Sequence, residues 1–343
     1  MTMAPHEGLD LVALRGFFAD TEIRTQGELK AQLISGGKSN LTFRVFDDAT
    51  QWVLRRPPTA GLTPSAHDMA REYRVCAALQ GSAVPVAGTV ALCEDPQVIG
   101  APFAVTTFVD GQVVRTIDDL ERLSDGEIDS CANELVRVLA ALHDVDIAAV
   151  GLVGFGRPDG YLNRQVALWA RQWDQVKTRE LPDLLRLHSL LESAVPSQSQ
   201  VALVHGDYRI DNTILAADDP GHVVAVVDWE LSTLGDPLAD LAQMCVYRHP
   251  ALDLIIGQPA AWTSPRLQSP DKIAQHYSSR TGRDLGKWGF YLGLAHFKLA
   301  VIAEGITHRH RAGATRGEGF EQAHEAVPLL VAAGLAALRA DAR

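Results

Sequence analysis

The sequence predicts an α+β chain in two lobes: a small antiparallel-sheet lobe, then a larger and mainly helical lobe. Three observations predict it. The chain has 343 residues, enough for two domains or one domain of two lobes. Short β-rich segments cluster in the first third, and long segments with apolar residues at helical spacing dominate afterwards. Hydrophobic residues make up 47% and charged residues 21%, ordinary globular values that exclude a largely disordered chain. The expected boundaries are 1–105 for the first lobe, 106–111 for a hinge and 112–343 for the second lobe.

The first third reads as strands with one helix. Leu29–Ser35, Leu41–Phe46 and Gln51–Leu54 are broken by Gly36-Gly37 and Asp47-Asp48, the spacing of an antiparallel meander. Arg56-Pro57-Pro58 ends the third strand, because proline has no N–H to give a ladder. Ser65–Leu79 is the helix, with Met69, Tyr73, Cys76 and Leu79 on a recurring face. Strands follow near Gly88–Cys93 and Phe103–Val109, closed by the turn pair Asp110-Gly111. Beyond them, Ile128–His143, Tyr161–Lys177 and Pro182–Ala194 read as helices and Ser193–Gln200 as a loop. Val201–Val204, Thr213–Leu215 and Val223–Val227 are short β-branched runs. Trp288–His308 and Ala323–Leu338 are long closing helices.

Composition narrows the function. The formal net charge of −11 argues against a nucleic-acid or anionic-membrane binder, since both partners reward a basic surface. Cys76, Cys93, Cys131 and Cys245 form no CxxC pair, so neither a zinc ribbon nor a disulfide framework is expected. MTMAPHEGLD shows no basic-then-apolar leader. Ala326–Leu338, interrupted by Pro328 and Gly334, falls short of the ~20 residues of a spanning helix. A soluble, cytoplasmic protein is expected, with no nucleic-acid or membrane partner.

The chemistry concentrates between Leu203 and Ala242. Asp207 and Asn212 are five residues apart, and Asp228 follows sixteen residues later. A strand–turn–strand after Asn212 would return Asp228 to its neighbourhood. Such a set offers one carboxylate to a hydroxyl nucleophile, and an amide plus a carboxylate to a hard cation. Mg²⁺ takes oxygen ligands, few of them from protein, leaving positions for phosphate oxygens and water. Phosphoryl transfer by kinases uses the same logic. His205–Asp240 also holds eight carboxylates against one basic side chain, Arg209, so the acidity of the chain is local.

The pattern HGDxxxxN (His205–Asn212), the later Asp228 and GDPLADLA (Gly235–Ala242) resemble the aminoglycoside phosphotransferase (APH)-like kinase family. Ser35–Val45, Trp52–Pro58, Arg71–Val75 and Leu142–Asp146 further resemble the phosphotransferase branch found joined to acyl-CoA dehydrogenase domains. The likeness covers most of the chain and implies a protein-kinase-like, two-lobed fold. It implies a phosphotransferase that uses ATP and Mg²⁺ to phosphorylate an alcohol group on a small molecule. Asp207 is then the catalytic residue, and Asn212 and Asp228 are the metal ligands. Gly36, Gly37, Lys38, Ser39 and Asn40 would cover the nucleotide phosphates. Arg55 stands where the family usually has lysine, with Glu72 as its helix partner. This departure leaves open a contribution from Lys38 or Arg56.

Thr107 and Val109 fall in the hinge, which would read a purine through backbone groups, so side chains do not separate ATP from GTP. His205 and Gly206 would shape the loop, and Asp236 and Asp240 would brace it. Tyr161–Trp173 and Tyr291–Arg311 are candidate walls of the acceptor site. The run His308-Arg309-His310-Arg311 fits a polycationic acceptor less well than an anionic or apolar one. The dehydrogenase-linked branch points to a hydroxyacyl compound or its CoA thioester. The alternatives are an aminoglycoside O-phosphotransferase, a catalytically silent nucleotide-binding module, and a metal hydrolase built on His205 and Asp207. No spaced histidine pair supports the last.

Overall fold

The computed structural model describes residues 9–35, 40–58, 68–197, 200–314 and 319–341. The chain folds into two compact units. One comprises the chain through Asp110 together with Ala225–Glu230; the other comprises Gly111–Val224 and Leu231 onward. The connection therefore passes between units three times.

The first unit is built on a five-stranded antiparallel sheet. Its strands are β1 (Lys30–Ser35), β2 (Leu41–Phe46), β3 (Gln51–Arg56), β4 (Thr89–Cys93) and β5 (Phe103–Thr107), in the order β1-β2-β3-β5-β4. The first three form the expected meander, and the third stops at Arg56, immediately before Pro57-Pro58. β5 lies inside the sheet because Phe103, Ala104 and Val105 are all buried, as a strand covered on both faces requires. β1 is one of the two edges and exposes Lys30, Gln32 and Ile34 while burying Ala31.

Two helices accompany this sheet rather than the single one expected. α1 (Leu11–Asp20) begins at Asp10, whose carboxylate caps the N–H groups of Val12 and Ala13. Its Phe17 ring meets Phe103 edge-on at 4.9 Å, and Phe18 meets Trp52 at 5.2 Å. The apolar density of LVALRGFF hides a helical period, which is why the segment did not read as a helix. α2 (Met69–Leu79) is capped by Asp68 and buries Met69, Glu72, Val75 and Leu79.

The second unit is mainly helical. α3 (Ile117–Glu121) and α4 (Asp125–His143) each start in a capping box, Thr116 with Asp119 and Ser124 with Glu127. α5 (Tyr161–Val176) and α6 (Pro182–Ser193) follow. The short strands β6 (Ala202–Val204), β7 (Thr213–Leu215), β8 (Val223–Val226, whose last two residues belong to the first unit) and β9 (Thr233–Gly235) make two two-stranded sheets, β6-β9 and β7-β8. α7 (Pro237–Val246), α8 (Ala251–Ile256), α9 (Pro270–Thr281), α10 (Trp288–Arg311) and α11 (Ala323–Asp341) complete it. α11 runs three residues past the expected Leu338, and among the described residues α10 and α11 are long and apolar enough, by length and composition alone, to cross a membrane. Of the apolar window of α10, however, 78% is buried inside the protein, as in the core helix of a globular unit.

The four cysteines are free thiols, three of them buried.

Candidate active site

Loop geometry in the second unit presents Asp207. β6 ends at Val204, and the loop turns at Gly206, whose φ of +85° is left-handed. A Cβ there would meet the Leu231 carbonyl oxygen at 2.9 Å, so the position favours glycine on two grounds. Asp240, on α7, clamps the turn. Its Oδ2 accepts from the His205 N–H at 2.7 Å, and its Oδ1 accepts from the Gly206 N–H at 2.8 Å. His143 Nε2 donates to the same carboxylate at 3.2 Å, and its Nδ1 accepts from the Tyr277 hydroxyl at 2.7 Å. Burial alone would raise the Asp240 pKa; the hydrogen bond and charge of His143, with those of His205, outweigh it and hold the carboxyl below its usual range. His205 Nδ1 accepts from the Asp207 N–H at 3.2 Å, so the histidine is used inside the loop. Asp236 caps α7 through the Leu238 N–H and accepts from the Tyr291 hydroxyl at 3.1 Å.

Asp207 and Asn212 are brought together. Asn212 Nδ2 donates to the Asp207 carbonyl at 2.8 Å and to Asp207 Oδ2 at 2.9 Å. This fixes which way the amide faces: its nitrogen is spent on Asp207, and its Oδ1 accepts from no described residue. Arg209 lies 3.5 Å from Asp207 Oδ1, pairs with Asp211 at 3.1 Å and stacks on the Tyr247 ring. Burial raises the Asp211 pKa against the pull of Arg209. Burial and the neighbouring Asp207 push the Tyr247 phenol well above its ordinary value.

The first unit assembles a charge cluster. Arg55, on β3, holds Glu72 of α2 at 3.3 Å and Asp228 at 2.9 Å. Asn40 donates to Glu72 at 3.3 Å and to Glu230 at 3.4 Å. Carboxylate oxygens of Glu72, Asp228 and Glu230 lie within 4.8 Å of one another, a set that could hold a cation. Burial pushes the Glu72 carboxyl up to about 7; Arg55 opposes, while Asp228 and Glu230 add to the rise. Asp228 has a φ of +66°, left-handed and unusual for a residue with a Cβ. Arg56, the other basic candidate, is buried and donates to the Ile99 carbonyl at 2.9 Å.

Among the hinge residues, Thr107 donates its N–H to Gly88 at 2.8 Å and Phe108 donates to Gln51 at 3.2 Å. The Val109 N–H meets no acceptor among the described residues. Gly36, Gly37, Lys38 and Ser39 lie outside the described residues. Of the aromatics in the proposed acceptor walls, Trp173, Tyr291 and Phe297 are core, and Trp169 is half-buried.

Several of these residues escaped the sequence. The bridge from Arg55 to Asp228, the contact of Asn40 with Glu230, and Lys298 of α10, which donates to the Gly206 carbonyl at 3.0 Å, have no local signature. His143 lies in the quoted LHDVD segment, but its bond to Asp240 spans 97 residues.

The family model of the phosphotransferase enzyme family (APH) matches residues 30–276. The chain belongs to that family. A crystal structure of a candidate aminoglycoside phosphotransferase from Ralstonia eutropha JMP134 is 33% identical, covers 97% of this chain and 99% of its own, and superposes with a TM-score of 0.83. A thermostable mutant of aminoglycoside phosphotransferase APH(4)-Ia, in ternary complex with AMP-PNP and hygromycin B, shares the fold at a TM-score of 0.62 and 16% identity, covering 96% of this chain and 99% of its own. Among curated proteins, mouse (Mus musculus) acyl-CoA dehydrogenase family member 10 is 33% identical over 84% of this chain. Human (Homo sapiens) family member 11 is 33% identical over 89%. The chain spans 27% and 39% of the length of these two relatives. The fold is thus the protein-kinase-like fold of the APH phosphotransferases, and the chain is a small-molecule phosphotransferase by family.

Proposed function

We propose that this APH-family chain transfers the γ-phosphate of ATP to a hydroxyl group of a small molecule, with Mg²⁺ as the bound cation. The observation that carries this reading is the Asp207–Asn212 pair. The amide nitrogen orients the carboxylate, and the opposite face of the amide keeps an oxygen for a hard cation. The donors that the family resemblance assigns to Mg²⁺ are Asn212 Oδ1 and the Asp228 carboxylate, each an oxygen, the donor type this ion prefers. Bound Mg²⁺ offsets the charge of the nucleotide phosphates.

In this reading Asp207 accepts a hydrogen bond from the acceptor hydroxyl and aligns it for in-line attack, with positioning mattering more than basicity. Arg55, oriented by Glu72, gives a planar, permanently charged fork to the nucleotide phosphates. The segment Gly36–Asn40 covers those phosphates, and the hinge at Thr107–Val109 reads the purine edge, with the Val109 N–H as the donor left for it.

The acceptor in this reading is a hydroxyacyl compound or its CoA thioester. Support comes from the acyl-CoA dehydrogenase names of the curated relatives and from the basic run His308–Arg311 at the end of α10. The test measures ADP release with a panel of hydroxyl compounds that includes hydroxyacyl-CoAs and aminoglycosides. Turnover of an aminoglycoside in preference to every acyl compound would overturn the acceptor assignment. A nucleotide-binding module without turnover is the second reading, favoured by Arg55 standing directly on Asp228. It predicts a nucleotide-dependent thermal shift and no product with any acceptor.

A further inference from the structure

Lys298 is a cation close to the Asp207 loop that belongs to no motif. It projects from α10, donates to the Gly206 carbonyl at 3.0 Å and lies 5.7 Å from the Trp169 ring centroid. Gly206 is the residue immediately before Asp207. An ammonium has three N–H donors, and the Gly206 carbonyl takes one. Among the described residues no carboxylate lies within 4 Å of Lys298. Burial holds its pKa below the usual lysine value, with the charges of Asp207 and Asp240 opposing the shift. Arg209, nearer to Asp207 in sequence, is already divided between Asp207, Asp211 and the Tyr247 ring. Lys298 therefore keeps two N–H donors beyond the one on the Gly206 carbonyl, and no described carboxylate takes them.

We propose that Lys298 binds an anionic oxygen of the ligand beside Asp207, from the phosphoryl group in transit or from an anionic group of the acceptor. The proposal rests on the phosphoryl-transfer reading above and deepens it. An ammonium in this position disfavours a polycationic acceptor by like-charge repulsion. It complements the basic end of α10, which is the same helix.

The test compares full-length wild type, Lys298→Met, Lys298→Gln and Lys298→Arg. Glutamine keeps a donor for the Gly206 carbonyl without the charge, and so covers the case in which methionine does not fold. Melting temperature is followed with inorganic phosphate as the probe, against chloride at matched ionic strength. A phosphate-dependent rise is expected in wild type and Lys298→Arg and is expected to be lost in the two neutral variants. Equal responses in all four, or no response in any, overturn the proposal.

A kinetic arm locates the anion, using acceptor pairs that differ by one carboxylate, such as 3-hydroxybutyrate and 2-butanol. In the neutral variants, KM raised about ten- to a hundredfold for the carboxylate member alone assigns the acceptor. An equal fall in kcat for both members assigns the phosphoryl group. Unchanged KM and kcat overturn the proposal. If wild type phosphorylates nothing, the phosphoryl-transfer reading falls, while the phosphate response still decides Lys298.

Discussion

The Asp207 loop and the Arg55 cluster hold their carboxylates by different means. In the loop, a buried carboxylate, Asp240, receives two backbone N–H groups and one imidazole, and Asn212 steadies Asp207 by a neutral amide. In the cluster, one guanidinium stands between Glu72 and Asp228, and Glu230 adds a third negative charge nearby. Directional hydrogen bonds to backbone fix a position whatever the surrounding ions do. A set of three carboxylates around one cation has an energy that depends on pH and on any added cation. The first arrangement suits a group that must be placed; the second suits a group that must respond to a charged ligand.

The largest expected effect breaks the loop's chemistry without its structure. Asp207→Asn keeps an oxygen for Asn212 Nδ2 but loses the carboxylate, and kcat for ADP release should fall by about 10²- to 10⁴-fold. Its melting temperature should stay near that of wild type. Undiminished turnover would remove Asp207 from the reaction. Next, Asp240→Ala strands the His205 and Gly206 N–H groups and the His143 imidazole in a buried setting. The expected cost is about 3–5 kcal/mol by urea denaturation. A cost below about 1 kcal/mol would mean the loop is not held by Asp240.

The charge cluster should show itself through pH. With its folded pKa raised to about 7, Glu72 binds its proton more tightly in the folded state than in the unfolded one, where the value is 4.5. Its contribution is therefore fully favourable below the unfolded value. It is lost as pH climbs through the window from 4.5 to about 7. Relative to Glu72→Gln, metal-free wild type should lose roughly 2–3 kcal/mol across that window. Parallel stability curves for the two proteins would show that Arg55 keeps Glu72 ionised throughout. The smallest effect is Gly206→Ala, which puts a Cβ on a left-handed residue facing the Leu231 carbonyl. It should cost about 1–2 kcal/mol, and a neutral result would mean that the turn relaxes.

The two regions were also unequally legible in sequence. Asp207, Asn212 and Gly206 sit within a few residues of one another, so spacing alone carried their relationship. The short polar turn between β7 and β8 kept Asp228 within the same segment. The meander read well because Gly, Asp and Pro punctuate it. What spacing could not carry are contacts between distant segments. Arg55 to Asp228 spans 173 residues, and Lys298 to Gly206 spans 92. No local period or turn signal reports such pairs; only the packing of α10 and the course of β3 do. α1 was lost for a different reason, since its dense apolar run suits several structures until Asp10 is recognised as its cap. α7 carried a usable signal in Asp236-Pro237, a cap followed by proline at the first helical position.

The excursion Ala225–Glu230 bears on how the protein can be taken apart. Because this segment belongs to the first unit while the residues on both sides belong to the second, the units are joined by three separate crossings of the chain. A single protease cut after Asp110 would free neither unit, since Asp228 would stay covalently threaded through the second. Expression of the chain through Asp110 alone would yield a unit that retains Arg55 and Glu72 but lacks the carboxylate opposite them. The nucleotide-side charges therefore cannot be transplanted as one contiguous cassette, and exchange of units between relatives has to move two stretches of sequence together.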